Sequence, residues 1–181
     1  MRTLAAVPLA VVLLASSGCL TAHPPTAVEG GPVLTPEAFF AGRTTGLGVL
    51  AVRGQRPQTV RVTSDGAWDG DVFRLDQHIE RGGEARDRTW VMERAGPRGY
   101  LASLTDARGP VAIDLQGNTM RVRYRMGALT TMHQRLVLQP DRRTVLNLST
   151  VRLLGVPVAR LTETIRRETP VETGSPAAPA R

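Results

Sequence analysis

Three titratable side chains occupy alternating positions in one short segment of the chain. Asp76, His78 and Glu80 are each two residues apart, so a β-strand would present all three on one face. A histidine between two carboxylates can bind a metal ion or transfer protons. The alternate positions of the same segment are mainly apolar, which favours a solvated outer surface over a functional cluster. We therefore predict no metal site and no cofactor in this segment.

Three guanidinium groups follow a similar alternation further along the chain. Arg121, Arg123 and Arg125 would lie about 7 Å apart along one strand face. Such a row can bind the phosphate groups of lipids, because the fork geometry of arginine suits them. The pattern favours a simpler interpretation, which is a solubilising outer face paired with acidic residues of neighbouring strands.

Signs of enzymatic catalysis are weak. The chain has no Gly-Xaa-Ser-Xaa-Gly motif, and its one cysteine falls near the N-terminus. His133 has no adjacent carboxylate, which makes a surface or core histidine the default. Gln77, Gln134 and Tyr124 are the polar positions that would suggest a reaction inside the fold. An enzyme is therefore the third hypothesis, after the two non-catalytic functions given at the end of this subsection.

Residues 1–18 show the order of charge, apolar stretch and small side chains that is typical of a secretory signal. Cys19 follows Ser16, Ser17 and Gly18, and the segment resembles a bacterial lipoprotein signal. The resemblance implies that Cys19 is acylated and becomes the mature N-terminus. Two or three acyl chains would hold the protein stably at a membrane. Because Leu20 rather than an aspartate comes next, the resemblance implies an outer-membrane lipoprotein of the bacterial envelope, which we expect to face the periplasm.

The basic charge of the chain comes from arginine, since the sequence contains no lysine and has a formal charge of +7. Removal of residues 1–18 takes away one arginine and no acid, which leaves +6. Nucleic acid is not an expected partner of an exported protein. Anionic headgroups attract each basic residue near a membrane by about 1 kcal/mol. The expected partners are therefore the membrane, through the N-terminal lipid, and a small apolar ligand or lipid.

The rest of the chain is organised for strands. Of 181 residues, 41% are hydrophobic, which is a globular composition. Between Gly46 and Arg167, apolar and polar residues alternate between turn-forming pairs such as Gly82-Gly83 and Gly117-Asn118. The succession predicts an all-β domain of about eight to ten strands. We expect an up-and-down antiparallel barrel rather than a β-sandwich, because closure removes the exposed sheet edges.

Composition also sets the predicted domain boundaries. Residues 19–34 are rich in Pro, Gly and Ala and indicate a lipidated tether, and residues 168–181 indicate a disordered tail. The barrel domain is predicted over residues 35–167. Its one helix is expected at residues 35–42, with Thr35 as the N-cap, Glu37 near the positive helix end and Gly42 as the stop.

The inward-facing side chains decide whether such a barrel is hollow. The candidate ligand-binding residues share the apolar strand faces; they are Phe73, Leu75, Trp90, Met92, Tyr124 and Met126. They would either line an apolar pocket or fill the interior completely, and the sequence leaves both alternatives open. Trp68 stands between Gly66 and Gly70, and we expect a core tryptophan beside a bulge and a tight turn. The alternative is that Trp68 closes one barrel end or lines a ligand site.

A Gly-Xaa-Trp-Xaa-Gly element at residues 66–70 is the most specific of several local motifs. The others are Phe39 to Gly42, Gly46, Gly48, Leu75-Asp76, Gly83-Glu84, Arg88 to Trp90, Tyr100, Asp106, Gly109, Gly117-Asn118 and Tyr124. Together they resemble a bacterial lipoprotein family known as domain of unknown function 3833, over roughly residues 37–166. The resemblance implies a lipocalin-like barrel attached to the envelope and gives no catalytic residue. The chain departs from the family at residues 134–137, where an Asp-Asp-Trp-Met run is usual.

Two functional hypotheses follow. The first is an outer-membrane-anchored periplasmic lipoprotein whose lipocalin-like barrel binds or carries a lipid or another small apolar ligand. The alternative is a non-catalytic interaction or assembly module of the envelope, with a solid barrel core and a functional outer surface. The volume inside the barrel distinguishes the two.

Overall fold

Strands form wherever polar and apolar residues alternate between turn residues. The computed structural model of the protein describes residues 31–96 and 99–168. Its ten strands are β1 Gly42–Val52, β2 Gln58–Asp69, β3 Val72–Arg81, β4 Glu84–Arg94, β5 Gly99–Leu104, β6 Val111–Gln116, β7 Thr119–Arg125, β8 Thr130–Leu138, β9 Thr144–Leu153 and β10 Val156–Arg167. Each strand pairs antiparallel with the next, and β1 also pairs with β10, which closes the barrel. The predicted all-β, up-and-down architecture is confirmed.

The turns explain why consecutive strands pair. Gly82-Gly83 joins β3 to β4 with φ angles of 58° and 86°. Two successive positive φ angles make the hairpin turn whose twist matches that of the flanking strands. Other predicted turn pairs also fall at strand junctions; they are Asp69-Gly70, Arg108-Gly109, Gly117-Asn118 and Pro140-Asp141.

Strand β1 reverses the expected distribution of apolar residues. Leu47 and Val49 point outward and are 54% and 51% exposed. The inward positions between Thr44 and Leu50 are Gly46 and Gly48. This strand therefore presents almost no side chain to that part of the interior, and the space is available to residues of the neighbouring strand.

The helix is shorter than predicted. It spans α1 Pro36–Phe40 rather than residues 35–42. The Thr35 side chain makes no capping hydrogen bond; its backbone carbonyl accepts hydrogen bonds from the amides of Ala38 and Phe39 instead. Gly42 is the first residue of β1 and has a φ of 77°, so it redirects the chain into the sheet. Among the described residues, no helix has the length and apolarity to cross a bilayer.

Helix α1 closes one end of the barrel. Phe39, Phe40 and the preceding Leu34 belong to the main apolar core, and Leu34 is fully buried. The Leu34 amide donates a hydrogen bond to the Gly117 carbonyl at 3.0 Å. The compact domain therefore includes Leu34, which the sequence analysis assigned to the tether. The predicted signal, Cys19, most of the tether and the tail beyond Glu168 lie outside the described residues.

A buried carboxylate holds this helix in place. Glu37 lies in the first turn, as predicted, and is buried there; it accepts hydrogen bonds from Tyr100 Oη and from the Arg94 guanidinium. Burial alone would raise the pKa of Glu37, but the hydrogen bonds from Tyr100, the backbone and Arg94 outweigh it and lower the pKa. The helix is thus fixed by an ionised group as well as by apolar contacts.

The prediction of a core tryptophan at position 68 is wrong. Trp68 is 55% exposed and packs the edge of its ring against Phe73, with 5.6 Å between the ring centroids. It lies near the end of β2, where Phe40 and Phe73 already occupy the interior beside Gly66. Trp68 therefore covers the rim at the helix end, and Gly70, with a φ of 59°, begins the following turn.

Gly66 is the position where the helix meets the sheet. A Cβ atom there would lie 2.1 Å from the Phe40 carbonyl oxygen and 2.7 Å from Phe73 Cζ. We expect Gly66→Ala to lower the free energy of unfolding by about 1–3 kcal/mol, because backbone has to move. Gly127→Ala is the control, since its Cβ would lie 3.7 Å from Thr130 Oγ1. Urea denaturation measures both variants, and equal stability of the two would contradict this role of Gly66.

Candidate ligand-binding cavity

The barrel is packed at the helix end and hollow at the other. A cavity of about 180 Å³ opens between the turns that face away from helix α1. Its apolar lining consists of Leu50, Val60, Val62, Ile79, Ala85, Met126, Met132, Val151 and Leu161. A smaller cavity of about 50 Å³ lies deeper, between this space and the helix. The interior is therefore neither a solid core nor one uniform pocket.

The six candidate ligand-binding residues are distributed over these regions. Leu75, Trp90 and Met92 line the smaller, deeper cavity. Met126 lines the larger, open cavity. Phe73 and Tyr124 are fully or almost fully buried in the packed core beside the cavities. The open cavity is lined mostly by residues that the sequence analysis did not single out.

A layer of polar side chains, here called the polar belt, lies between the two cavities. It consists of Ser64, Gln77, Arg88, Gln134, Asn147, Ser149 and Glu163. Gln77 makes the hydrogen bonds of the half that lies on β2, β3 and β4. The Gln77 side-chain carbonyl accepts hydrogen bonds from Arg88 Nε and Trp90 Nε1, each at 2.8 Å. Its amide nitrogen donates to Ser64 Oγ at 2.9 Å. Both polar atoms of the Gln77 side chain are therefore hydrogen-bonded, and Gln77 fixes the orientation of Arg88.

The other half of the belt lies on β8, β9 and β10. Gln134 Nε2 donates to Ser149 Oγ at 3.2 Å, Ser149 Oγ donates to Asn147 Oδ1 at 3.0 Å, and Asn147 Nδ2 donates to Glu163 Oε2 at 2.9 Å. Glu163 is the last residue in this series of hydrogen bonds. Within the described residues its Oε1 atom is buried without a hydrogen-bond partner. Such an orphaned buried acceptor is costly, and it borders both cavities.

Two glycines make room for this carboxyl group. A Cβ atom at Gly46 would lie 2.1 Å from Glu163 Oε1, and one at Gly48 would lie 2.9 Å from Glu163 Cβ. Burial raises the pKa of Glu163, and the hydrogen bond from Asn147 and the charge of Arg88 only partly oppose this rise. The glycines of β1 therefore explain how an acidic residue that is 4% exposed fits inside the barrel.

Arg88 faces Glu163 from strand β4 and borders both cavities as well. Its guanidinium lies over the Trp90 ring, with 5.7 Å from Cζ to the ring centroid. Trp90 in turn meets Tyr124 edge to face at 6.0 Å. Burial lowers the pKa of Arg88, but an arginine side chain stays protonated in proteins. The interior therefore carries a fixed positive charge.

The residues first considered for metal binding lie on the outer surface. His78 Nδ1 is 2.7 Å from Asp87 Oδ1, Asp76 pairs with Arg74, and Glu80 pairs with Arg61. Within residues 31–96 and 99–168, no cluster of histidine, cysteine and acidic residues could hold a metal ion.

The arginine row on β7 is also on the outside. Arg121, Arg123 and Arg125 are exposed, and Arg121 Nη1 lies 3.6 Å from Asp114 Oδ2. His133 is half-buried on β8, and burial together with Arg123 and Arg152 lowers its pKa. These positions surround the barrel but do not border either cavity.

Exposed apolar residues lie on one side of the open end. Leu129 precedes β8, and Leu153, Leu154 and Val156 form the tip of the β9–β10 hairpin, where Leu154 is 70% exposed. The Leu154 amide donates a hydrogen bond to the Leu129 carbonyl at 2.9 Å, which ties the two loops together. The larger cavity thus opens beside an apolar rim.

Sequence reasoning missed Arg88 and Glu163, although a signal for both was present. Arg88 shares the inward parity of Trp90 and Met92, and Glu163 shares that of Leu161 and Ile165. A charged residue on an apolar strand face is an exception comparable to Gln77. The pairing of β1 with β10, which places Glu163 against Gly48, could not be predicted from the alternation within either strand.

The described geometry is that of a lipocalin-like barrel with an internal cavity. Residues 12–167 match the family described as "Protein of unknown function (DUF3833)", and the chain belongs to this family. The comparison with curated proteins gave no match.

Solved structures show the same fold. The S-type phycobiliprotein lyase CPES from Guillardia theta is similar with a TM-score of 0.59 and 11% identity, over 75% of this chain and 94% of that one. A DUF3598-family protein from Nostoc punctiforme is similar with a TM-score of 0.58 and 17% identity, over 76% of this chain and 50% of that one. At these identities the similarity establishes the fold alone.

The raised pKa of Glu163 has a consequence for stability. Folded Glu163 holds its proton more tightly than the unfolded chain does, so its contribution to stability is complete below its ordinary pKa of 4.5 and disappears as the pH rises through the folded value. We expect Glu163→Gln to be more stable than the wild type at neutral pH and to lose less stability as the pH rises.

Urea denaturation at several pH values between about 4 and 8 measures this difference. Glu93→Gln, an exposed position on β4, should follow the wild-type profile. A Glu163→Gln variant whose stability changes with pH as in the wild type would contradict the assignment.

Proposed function

We propose that this protein is an outer-membrane-anchored lipoprotein whose barrel binds a small apolar ligand in the open cavity. The observation that carries the proposal is the cavity of about 180 Å³, which is open at one end and bounded by a polar belt at its base. Its walls are mostly apolar and also include Arg81, Glu84 and Arg86. A pocket with mostly apolar walls and a few convergent polar groups is typical of small-molecule sites. Helix α1 closes the opposite end, so a ligand would exchange through the open end.

The packed half and the hollow half of the barrel support ligand binding over the solid-barrel alternative. Phe40 and Phe73 fill the core near the helix, whereas Val151 and Leu161 border empty space. An empty apolar volume forfeits the contacts that a filled core would make. A chain selected for a solid scaffold would fill this space, whereas a ligand-binding barrel keeps it.

The location of the protein rests on the N-terminal segment. Cys19 follows an apolar stretch and three small residues, and the family match begins at residue 12 and therefore includes this cysteine. We infer that acylation of Cys19 anchors the barrel to the outer membrane, facing the periplasm. A lipid-anchored barrel would be close to the source of apolar ligands, which supports binding of a lipid or fatty acyl compound.

Filling the cavity tests the binding function. Val151→Trp places a large side chain in the open cavity, and we expect it to weaken binding of the apolar fluorophore phenylnaphthylamine by at least about tenfold. Val49→Trp is the matched control, because Val49 lies on the outer face and is 51% exposed. Fluorescence titration measures both, and circular dichroism verifies folding. If the wild type does not bind the fluorophore, or both variants bind it like the wild type, the cavity is not the binding site.

Removing the acylation site tests the anchor. We expect Cys19→Ser to abolish incorporation of labelled palmitate and to move the protein out of the outer-membrane fraction, because the thiol is the group that would carry the lipid. Labelling and membrane fractionation measure the two effects. Persistence of palmitate on Cys19→Ser would rule out this position as the lipid attachment site.

A further inference from the structure

We propose that the barrel selects amphiphiles that carry one carboxylate, and that Arg88 binds this carboxylate inside the cavity. The inference rests on the proposed function and specifies the chemical class of its ligand. It starts from a charged side chain in an apolar-walled space, which is an expensive arrangement unless a partner compensates it.

Arg88 is oriented for a ligand rather than for a protein carboxylate. Its Nε–H is bonded to Gln77, and its planar group lies over Trp90. In the part of the chain that the structure describes, no carboxylate oxygen lies within ion-pair distance of Arg88. With Nε held by Gln77, the Arg88 side chain lines both cavities beside the Tyr124 hydroxyl.

Glu163 on the facing wall does not neutralise this charge completely. Its Oε2 atom is occupied by Asn147, and its Oε1 atom has no hydrogen-bond partner within the described residues. Burial raises the pKa of Glu163, so this carboxyl group takes up a proton more readily than an exposed glutamate does. A protonated carboxyl group can donate a hydrogen bond to one oxygen of a ligand carboxylate while Arg88 binds the other.

The number of donors favours a carboxylate over a phosphate group. Three arginines line the open cavity, and two of them are paired, Arg81 with Glu84 and Arg86 with Asp106. Arg88 has no ion-pair partner among the described residues, and its one planar fork matches the two oxygens of a carboxylate. A phosphate carries more oxygens and up to two charges, and in this belt the side chain opposite Arg88 is an acid. The other polar groups of the belt, Gln77, Ser149 and Asn147, are already hydrogen-bonded to each other or to their neighbours.

The shape of the space sets the orientation of the ligand. The deeper cavity of about 50 Å³ is too small for a long hydrocarbon chain, whereas the open cavity leads from Arg88 between apolar walls to the barrel mouth. The carboxylate would therefore lie at the base and the hydrocarbon tail would extend outward. Leu153, Leu154 and Val156 at the rim would cover a tail that is longer than the cavity.

A matched pair of probes tests this inference on the full-length protein. Decanoate and decanol differ in the polar group and share the hydrocarbon chain, and competition with phenylnaphthylamine gives the affinity of each. We expect the wild type to bind decanoate at least about tenfold more tightly than decanol, and Arg88→Gln to lose most of this preference. Arg123→Gln, which removes an exposed arginine of the outer face, should retain it.

The outcomes separate this inference from the proposed function. Equal affinity of the wild type for decanoate and decanol, or an unchanged preference in Arg88→Gln, overturns the role of Arg88 and leaves an apolar-binding barrel. Failure of the wild type to bind phenylnaphthylamine, decanoate and decanol overturns both. The wild-type comparison of the two probes is decisive by itself if Arg88→Gln does not fold.

Discussion

A closed sheet of ten strands encloses more width than its inward side chains can fill, because barrel diameter grows with strand number. In this protein the two ends of the barrel differ in how the interior is filled. At one end, helix α1 inserts Phe39 and Phe40 and is fixed by the buried Glu37 carboxylate. At the other end nothing from the described chain fills the space, and a cavity results. The position of the helix therefore determines which end of the barrel is available for binding.

The polar belt is an arrangement that packing stability alone does not explain. Glu163 is buried and Arg88 is partly buried inside the barrel, and replacing buried charged groups by apolar residues often stabilises proteins. Gln77 on one side and Asn147 on the other hold them in defined positions, while Gly46 and Gly48 give up their own packing to accommodate Glu163. The proposed ligand would give these oriented groups a partner, which is the physical reason for proposing that one binds there.

Periodicity was enough to predict the strands and the outer position of His78 and Arg121, because each depends on local alternation. Closure was predicted from the need to remove exposed sheet edges and from the family resemblance. It was not enough for features that depend on two distant segments. Glu163 is inconspicuous until β1 pairs with β10 and places it against Gly48. Trp68 follows the inward parity of β2, yet the interior beside it is already occupied. Contacts between remote strands, rather than local propensity, decide such positions.

The first and last strands are neighbours, with Thr44 opposite Arg167. The described chain consequently begins and ends at the helix end of the barrel, near Leu34 and Glu168. A short linker could join these two points, and new termini could be opened at the Gly82-Gly83 hairpin without altering any strand order. Circular permutation of this barrel would then move the chain termini from the helix end to the open end, and so reverse how the opening is oriented relative to any domain fused to those termini.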